Sequence, residues 1–413
     1  MTMPSGPYAA LRIRDFKYFI SARFSITLAI QIQSVVVAFQ VYELTKDPLS
    51  LGLIGLAEAI PSIGVSLYAG HIADIVRRKK IILTCIATLW ICSMALLFFT
   101  FNRGDAFINS YGVAPIYAVI FLSGIARGFL SPALFAFMPQ LVPRDLYANA
   151  VTWNSTLWET ATIAGLAVGG LLYGFLGVTT AYSVDAVLTF GGLLLMLAVA
   201  NRELPPVTGE EGVAEKIKAG LRFVYDNKLI LSAISLDLFA VLFGGAVALL
   251  PIFAEEILNT GPIGLGILRA APSVGALFMA FYITHHPIRK NAGRTLFLCV
   301  AGFGICMILF ALSNNFWISL FLLSVSGAFD CVSVVIRSTL LQTLTPENMK
   351  GRVSAVNHIF IGSSNEIGMF ESGVAARLIG TRASVIFGGC MTLLVVGITS
   401  AASRSLRTLQ KLH

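Results

Sequence analysis

The chain has 413 residues, 56% of them hydrophobic and 12% charged, with a formal net charge of +8. Soluble domains carry about 25% charged residues, and a water-soluble chain of this length has no core able to hide so much apolar side chain. That excludes a soluble enzyme; the basic residues sit in loops between apolar stretches, which is the bias of a membrane protein rather than of a nucleic-acid binder.

Charges and Pro/Gly interruptions cut the sequence into apolar stretches of about twenty residues or more, the length that spans a bilayer as a helix. Runs such as 81–100 and 188–200 do not alternate apolar and polar residues, as a membrane β-barrel requires. The spans are predicted at 17–44, 49–75, 80–101, 114–138, 147–176, 179–201, 229–256, 263–285, 294–313, 316–342, 353–379 and 381–402. The first follows Arg12, Arg14 and Lys17. It is too long for the apolar region of a secretory signal and lacks a small-residue cleavage site, so it reads as a permanent span.

The loops set the expected orientation. Arg77, Arg78, Lys79 and Lys80 follow the second span, Arg144 the fourth, Arg289, Lys290 and Arg294 the eighth, and Lys350 and Arg352 the tenth. The tail adds Arg404, Arg407 and Lys411, whereas the alternate loops carry only Lys46 with Asp47, Arg103 with Asp105, and Arg382. The positive-inside rule then places both termini of a multi-pass membrane protein in the cytoplasm. That demands an even number of spans, in agreement with twelve.

The least apolar stretch, 201–228, holds Pro205, Pro206, Glu210 and Glu211 and then an amphipathic helix over 215–226. It reads as a cytoplasmic linker (202–228) between an N-terminal six-helix bundle (1–201) and a C-terminal one (229–413). The two halves resemble each other. Leu141-Val142-Pro143-Arg144-Asp145-Leu146 returns as Leu344-Thr345-Pro346-Glu347-Asn348-Met349, and the pattern of Gly55, Pro61 and Gly64 returns as Gly266, Pro272 and Gly275. Six spans repeated in the same orientation imply two bundles related by a pseudo-twofold axis along the membrane normal, with substrate held between them and access alternating as one rocks against the other.

Between the second and third spans stands Gly70-His71-Ile72-Ala73-Asp74-Ile75-Val76-Arg77-Arg78-Lys79-Lys80. A carboxylate at the C-terminal end of a helix is not favoured by the helix dipole, so Asp74 calls for a basic residue or another helix's N-terminus. The loop resembles the signature of the major facilitator superfamily, departing from it at Ile75 and Arg77. The resemblance implies the major facilitator fold, an all-α membrane protein of twelve transmembrane helices, and a cytoplasmic gate built on Gly70, Asp74, Arg78 and Lys79. The stretch Leu341-Gln342-Thr343 with Pro346-Glu347, Met349 and Gly351-Arg352-Val353, then Asn365-Glu366-Ile367-Gly368, resembles the branch of that superfamily holding enterobactin exporters and macrolide-efflux proteins. So do Arg269-Ala270-Ala271-Pro272 and Tyr182-Ser183-Val184-Asp185-Ala186. What that branch implies is proton-driven export of a bulky small molecule by a monomer. The glycines of the fifth span, Gly165, Gly169, Gly170, Gly174 and Gly177, resemble the antiporter signature with Leu166 in place of its proline; ordinary close helix packing would use the same residues.

Ionisable residues inside spans are costly and face partners or water-filled cavities. Here they are Arg23, Glu58, Arg127, Glu159, Asp185, Asp237, Arg269, Asp330, Arg337, Glu366 and Glu371. Of these, Glu58, Arg127, Glu159, Asp237, Arg269, Asp330, Arg337 and Glu366 are the candidates for substrate binding and proton coupling. The repeat makes Glu58 equivalent to Arg269 and Arg127 to Asp330, with signs exchanged. Two pairings satisfy the need to neutralise buried charge: Glu58 with Arg127 and Arg269 with Asp330 inside each bundle, or Glu58 with Arg269 and Arg127 with Asp330 across them. Phe39, Trp153, Trp158, Phe239, Phe243 and Phe360 suit either a cavity wall or lipid contact.

No metal or other cofactor is implied: the six cysteines lie inside apolar stretches without CxxC spacing, and neither a phosphate-binding loop of the G-x-x-x-x-G-K-[ST] type nor an H-E-x-x-H pair is present. The partners expected are a small-molecule substrate, protons and lipid, and no nucleic acid. Siderophore or drug export leads. Uptake, lipid or metal transport on the same fold, and a membrane sensor that has lost transport, stand as alternatives.

Overall fold

The computed structural model describes residues 8–202, 213–286, 291–346 and 349–409. Among them are helices and no strands. The elements used below are α1 (Arg14–Thr45), α2 (Pro48–Ile75), α3 (Arg78–Phe98), α4 (Asn102–Tyr111), α5 (Ala114–Phe137), α6 (Tyr147–Ala198), α7 (Val213–Asp226), α8 (Lys228–Gly244), α9 (Gly261–His285), α10 (Ala292–Leu312), α11 (Phe316–Leu344), α12 (Lys350–Ile379) and α13 (Thr381–Ala402).

The residues at the helix ends explain where the spans begin. Pro48 opens α2, and prolines also stand in the first turns of α5 and α9, where a missing N–H costs nothing. The side chain of Asn227 accepts from the N–H groups of Leu229 and Ile230 to cap α8. Asn315 does the same for Trp317 and Ile318 at the start of α11.

The fifth and sixth predicted spans form α6, a single 52-residue helix by hydrogen bonding, interrupted at Gly177 with φ 81°. Gly380, between α12 and α13, has φ 90°. Both glycines occupy the left-handed side of φ that other residues avoid, and they are separated by the offset that relates Leu141 to Leu344. The internal repeat is thus written into backbone geometry as well as into letters. Pro61 and Pro272, inside α2 and α9, are a second equivalent pair.

Two segments depart from the predicted plan. The loop after the third span contains α4, whose Phe107 and Tyr111, four residues apart, pack with ring centroids 4.7 Å apart and planes tilted by 46°. Phe107 also stacks on Phe99. The seventh span is not one helix: after α8 the backbone turns extended at Gly245 and resumes as a short helix and a π-turn over Phe253–Ile257. Ser372 on α12 donates to the freed Gly245 carbonyl at 3.0 Å.

Ten helices are long and apolar enough to cross a membrane among the described residues. The broken α6 supplies two spans. The helix α12 falls below that hydropathy because it carries Asn357, Asn365, Glu366 and Glu371. Large apolar side chains such as Phe135, Phe278, Trp317 and Leu378 point outward and are more than two-thirds exposed, as lipid as solvent permits.

By contacts the chain falls into two units, 1–44 with 60–210 and 45–59 with 211–413. The core of the first includes Phe16, Phe19, Ile82, Ile86, Leu130 and Phe137. That of the second includes Leu236, Leu296, Phe297, Ile336 and Leu340. A smaller cluster of Val224, Ile230, Ile234, Leu341, Val353 and Val356 seats α7 against α8 and α12.

Candidate functional site

In the first unit, small residues bring helices close enough for polar side chains to meet. A β-carbon on Gly165 would lie 2.8 Å from the Leu28 carbonyl oxygen, and one on Gly169 would lie 3.1 Å from that of Ile32. The fifth-span glycines therefore serve the close approach of α6 to α1.

Gln33 on α1 accepts from Nη2 of Arg127 on α5 at 3.4 Å. The charge of Arg127 also reaches Asp185 on the second segment of α6, which the hydroxyls of Ser93 on α3 and Thr189 on α6 approach. Asp185 is 1% exposed. One of its carboxylate oxygens, Oδ2, accepts no hydrogen bond. One turn earlier, buried Tyr182 donates to Gln40 Oε1 at 2.6 Å. Arg23 donates to Asn154 Oδ1 at 2.6 Å, so this span-buried cation is held by a neutral amide. Glu159 is exposed within its span.

In the second unit Asp237 on α8 and Arg337 on α11 form a buried ion pair. Arg269 on α9 is within electrostatic reach of Glu58 on α2. Asp330 and Glu366 are half-buried. Of the two pairings open from the sequence, then, the one observed for Glu58 is with Arg269, its repeat equivalent. Arg127 directs its charge to Asp185, a partner that the repeat equivalences did not include.

The loop expected to form the gate is only partly described. The side chains at Gly70, His71, Ala73, Asp74 and Ile75 lie outside the described residues, as does that of His358. Arg78 donates to the Ala136 carbonyl at 2.9 Å, at the last turn of α5. Lys79 is buried and donates to the carbonyls of Leu197, at 3.0 Å, and of Val199, at the last turn of α6. Both cations thereby sit on the negative ends of helix dipoles and satisfy carbonyls that the helices leave open. Among the described residues no group of three or more His, Cys, Asp or Glu could hold a metal ion.

The family described as "transmembrane secretion effector" matches residues 5–411. The chain belongs to this family of the major facilitator superfamily. Among the chain's relatives is the enterobactin exporter EntS of Escherichia coli O1:K1 / APEC, 26% identical over 390 residues that span 93% of this chain and 90% of the relative. The enterobactin exporter EntS of Shigella boydii serotype 18 is also 26% identical, over 388 residues. Solved structures with the same fold include a bacterial homolog of the human lysosomal transporter Spinster, in an inward-facing and unoccupied conformation. Its TM-score is 0.73 at 14% identity, covering 98% of both chains. The xylose transporter XylE from E. coli gives a TM-score of 0.66 at 12% identity, covering 96% of both. The chain is a multi-pass membrane transporter of the secondary kind and not an enzyme.

The sequence reading named Asp185 among the intramembrane charges but left it out of the site. Its neighbours Gln33, Ser93 and Thr189 were missed altogether. They are neutral, and only the packing of α1, α3 and α6 around Arg127 singles them out from other polar residues in spans.

Proposed function

We propose that this transporter exports a bulky small molecule, a siderophore or a drug, across the bacterial inner membrane in exchange for protons, by alternating access. The observation that carries the reading is similarity to enterobactin exporters along nine-tenths of both chains; the ionisable residues inside the spans support it, since such residues mark substrate and proton paths. Both termini lie in the cytoplasm, residues 1–201 and 229–413 form the two six-helix bundles, and the monomer is the working unit.

The intramembrane candidates divide by environment. Glu159, exposed on its span, is placed to line a water-filled cavity, since a carboxylate facing lipid is expensive. Glu58, Arg269, Arg127, Asp330 and Glu366 carry the charge changes of the cycle, and Asp237 with Arg337 braces the second unit. Gly70, Asp74, Arg78 and Lys79 form the cytoplasmic gate.

The test is reconstitution of the purified protein in liposomes holding a pH-sensitive dye, with a proton gradient imposed and siderophores, macrolides, tetracyclines and dyes added in turn. Substrate-dependent proton flux, lost on Glu58→Gln or Glu366→Gln, is the expected result and names the cargo class. Folded protein that moves no protons with any compound overturns proton coupling.

A further inference from the structure

The intramembrane carboxylates differ in how far their surroundings already neutralise them. Asp237 is matched by the Arg337 guanidinium in a buried pair. Glu58 faces Arg269, and Glu159 is exposed. Asp185 is more enclosed than any of these: it is 1% exposed, and its Oδ2, like Oε2 of the half-buried Glu366, accepts no hydrogen bond. About eight residues separate it from the turn at Gly177, so at 1.5 Å per residue it lies roughly 12 Å into the span. A buried acceptor with nothing donating to it costs as much as a lost hydrogen bond, and in this place a proton is what supplies the missing partner.

We propose that Asp185 is the reversible proton-binding site of the first unit and that Arg127 is its counter-charge, a deeper statement of the proton-coupled reading above. A proton from water forms an O–H bond at Oδ2, and the carboxylic acid so made is neutral and can donate. Arg127, no longer facing an anion at Asp185, keeps its contact with Gln33 at 3.4 Å. Loss of the proton to water on the other side of the membrane restores the carboxylate and returns Arg127 to it. One proton crosses per cycle, and no other bond changes.

The titratable and charged groups around Asp185 are few. Arg127 reaches it from α5, Cys92 from α3 and Tyr182 from its own helix. Ser93 and Thr189 add neutral hydroxyls. None of these competes for a proton as a carboxylate would, which leaves Asp185 as the acceptor in this cluster.

The experiment is infrared difference spectroscopy of the full chain in lipid nanodiscs, stepped from alkaline to acid pH without substrate. A protonated carboxylic C=O stretch is expected in the wild type, absent in Asp185→Asn and moved in frequency in Asp185→Glu, which keeps the carboxyl if the asparagine variant folds poorly. A band that persists unchanged in both variants overturns the proposal. Transport supplies the second arm, with enterobactin as the probe. Asp185→Asn should keep enterobactin exchange between equal concentrations and lose its response to a pH gradient. If wild-type protein responds to the gradient and Asp185→Asn responds equally, Asp185 is not the site while proton-coupled export stands. If wild-type protein moves no enterobactin, this siderophore is not its cargo, and the infrared band still decides the role of Asp185.

Discussion

Asp237 and Arg337 show what a buried pair does when no solvent is near. Both are almost fully enclosed, at 6% and 3% exposure. Each charge is tolerable only because the other is there. Removing one partner strands the other, so Asp237→Ala or Arg337→Ala should each lower stability by about 3–5 kcal/mol. Replacing both by apolar residues of similar size, Asp237→Leu with Arg337→Met, should cost far less than the two single changes summed. Chaotrope unfolding in detergent micelles measures this. Equal losses in the single and double variants would mean that the pair has a role beyond mutual neutralisation.

Glu58 and Arg269 pose a different question, because the repeat places them at equivalent positions with opposite signs. Their proximity predicts that exchange of the charges is tolerated where either single reversal is not. Glu58→Arg alone leaves two cations facing each other, and Arg269→Glu leaves two anions. The combined variant should recover folded yield and transport, with a coupling of about 0.5–3 kcal/mol. A double variant no better than the worse single one would show that each charge answers to something other than its partner. This is the pairing that the letters left undecided. The equivalence of positions was legible in the sequence, but which equivalent residues touch depends on how helices rotate about their axes, and no periodicity in a uniformly apolar span reports that.

At the scale of elements, the fifth-span glycines give α6 and α1 their contact. Gly165 faces Leu28 and Gln31, and Gly169 faces Ile32 and Val35. A leucine at either position has no room, so Gly165→Leu or Gly169→Leu should push the helices apart and cost about 1–3 kcal/mol in overpacking. The same change at Gly191, where a β-carbon meets nothing within 4 Å, should be close to neutral. Thermal stability of the purified variants separates the two classes. A neutral result at Gly165 and Gly169 would return them to a direct role in transport.

The elements also show where sequence reading succeeds and where it stops. Every predicted span is helical apart from the break in the seventh, because length and hydropathy are set by the bilayer and written in composition. The break at Gly245 escaped notice since Gly244 and Gly245 sit in an apolar run, and what holds the break open is Ser372 from a helix over a hundred residues away. The helix α4 reads as loop in the sequence because its ten residues are too few, and too mixed between polar, aromatic and small, to look like a span. Likewise Asp185 stood among the intramembrane charges, but its lack of a donor at Oδ2 is a property of packing.

For the whole molecule, direction of transport depends on which way the chain threads the membrane. Threading is set electrostatically: loops after even-numbered spans hold clusters of Lys and Arg, and the loops between them are nearly free of excess positive charge. Lys79 and Arg78 strengthen this, because their contacts with the carbonyls of α5 and α6 fix the basic loop to helix ends on one side of the first unit. If that side is cytoplasmic, α4 is external and the C-terminal Arg404–Arg407 turn is internal. Exposed positions exist on both: Ser110 on α4 and Thr408 after the last helix. The exposed native thiol Cys390 is first removed as Cys390→Ser. In intact spheroplasts a membrane-impermeant maleimide should then label Ser110→Cys and should reach Thr408→Cys only after permeabilisation. The opposite pattern would invert the protein in the membrane, and with it the sense in which a proton-driven exchange could move its cargo.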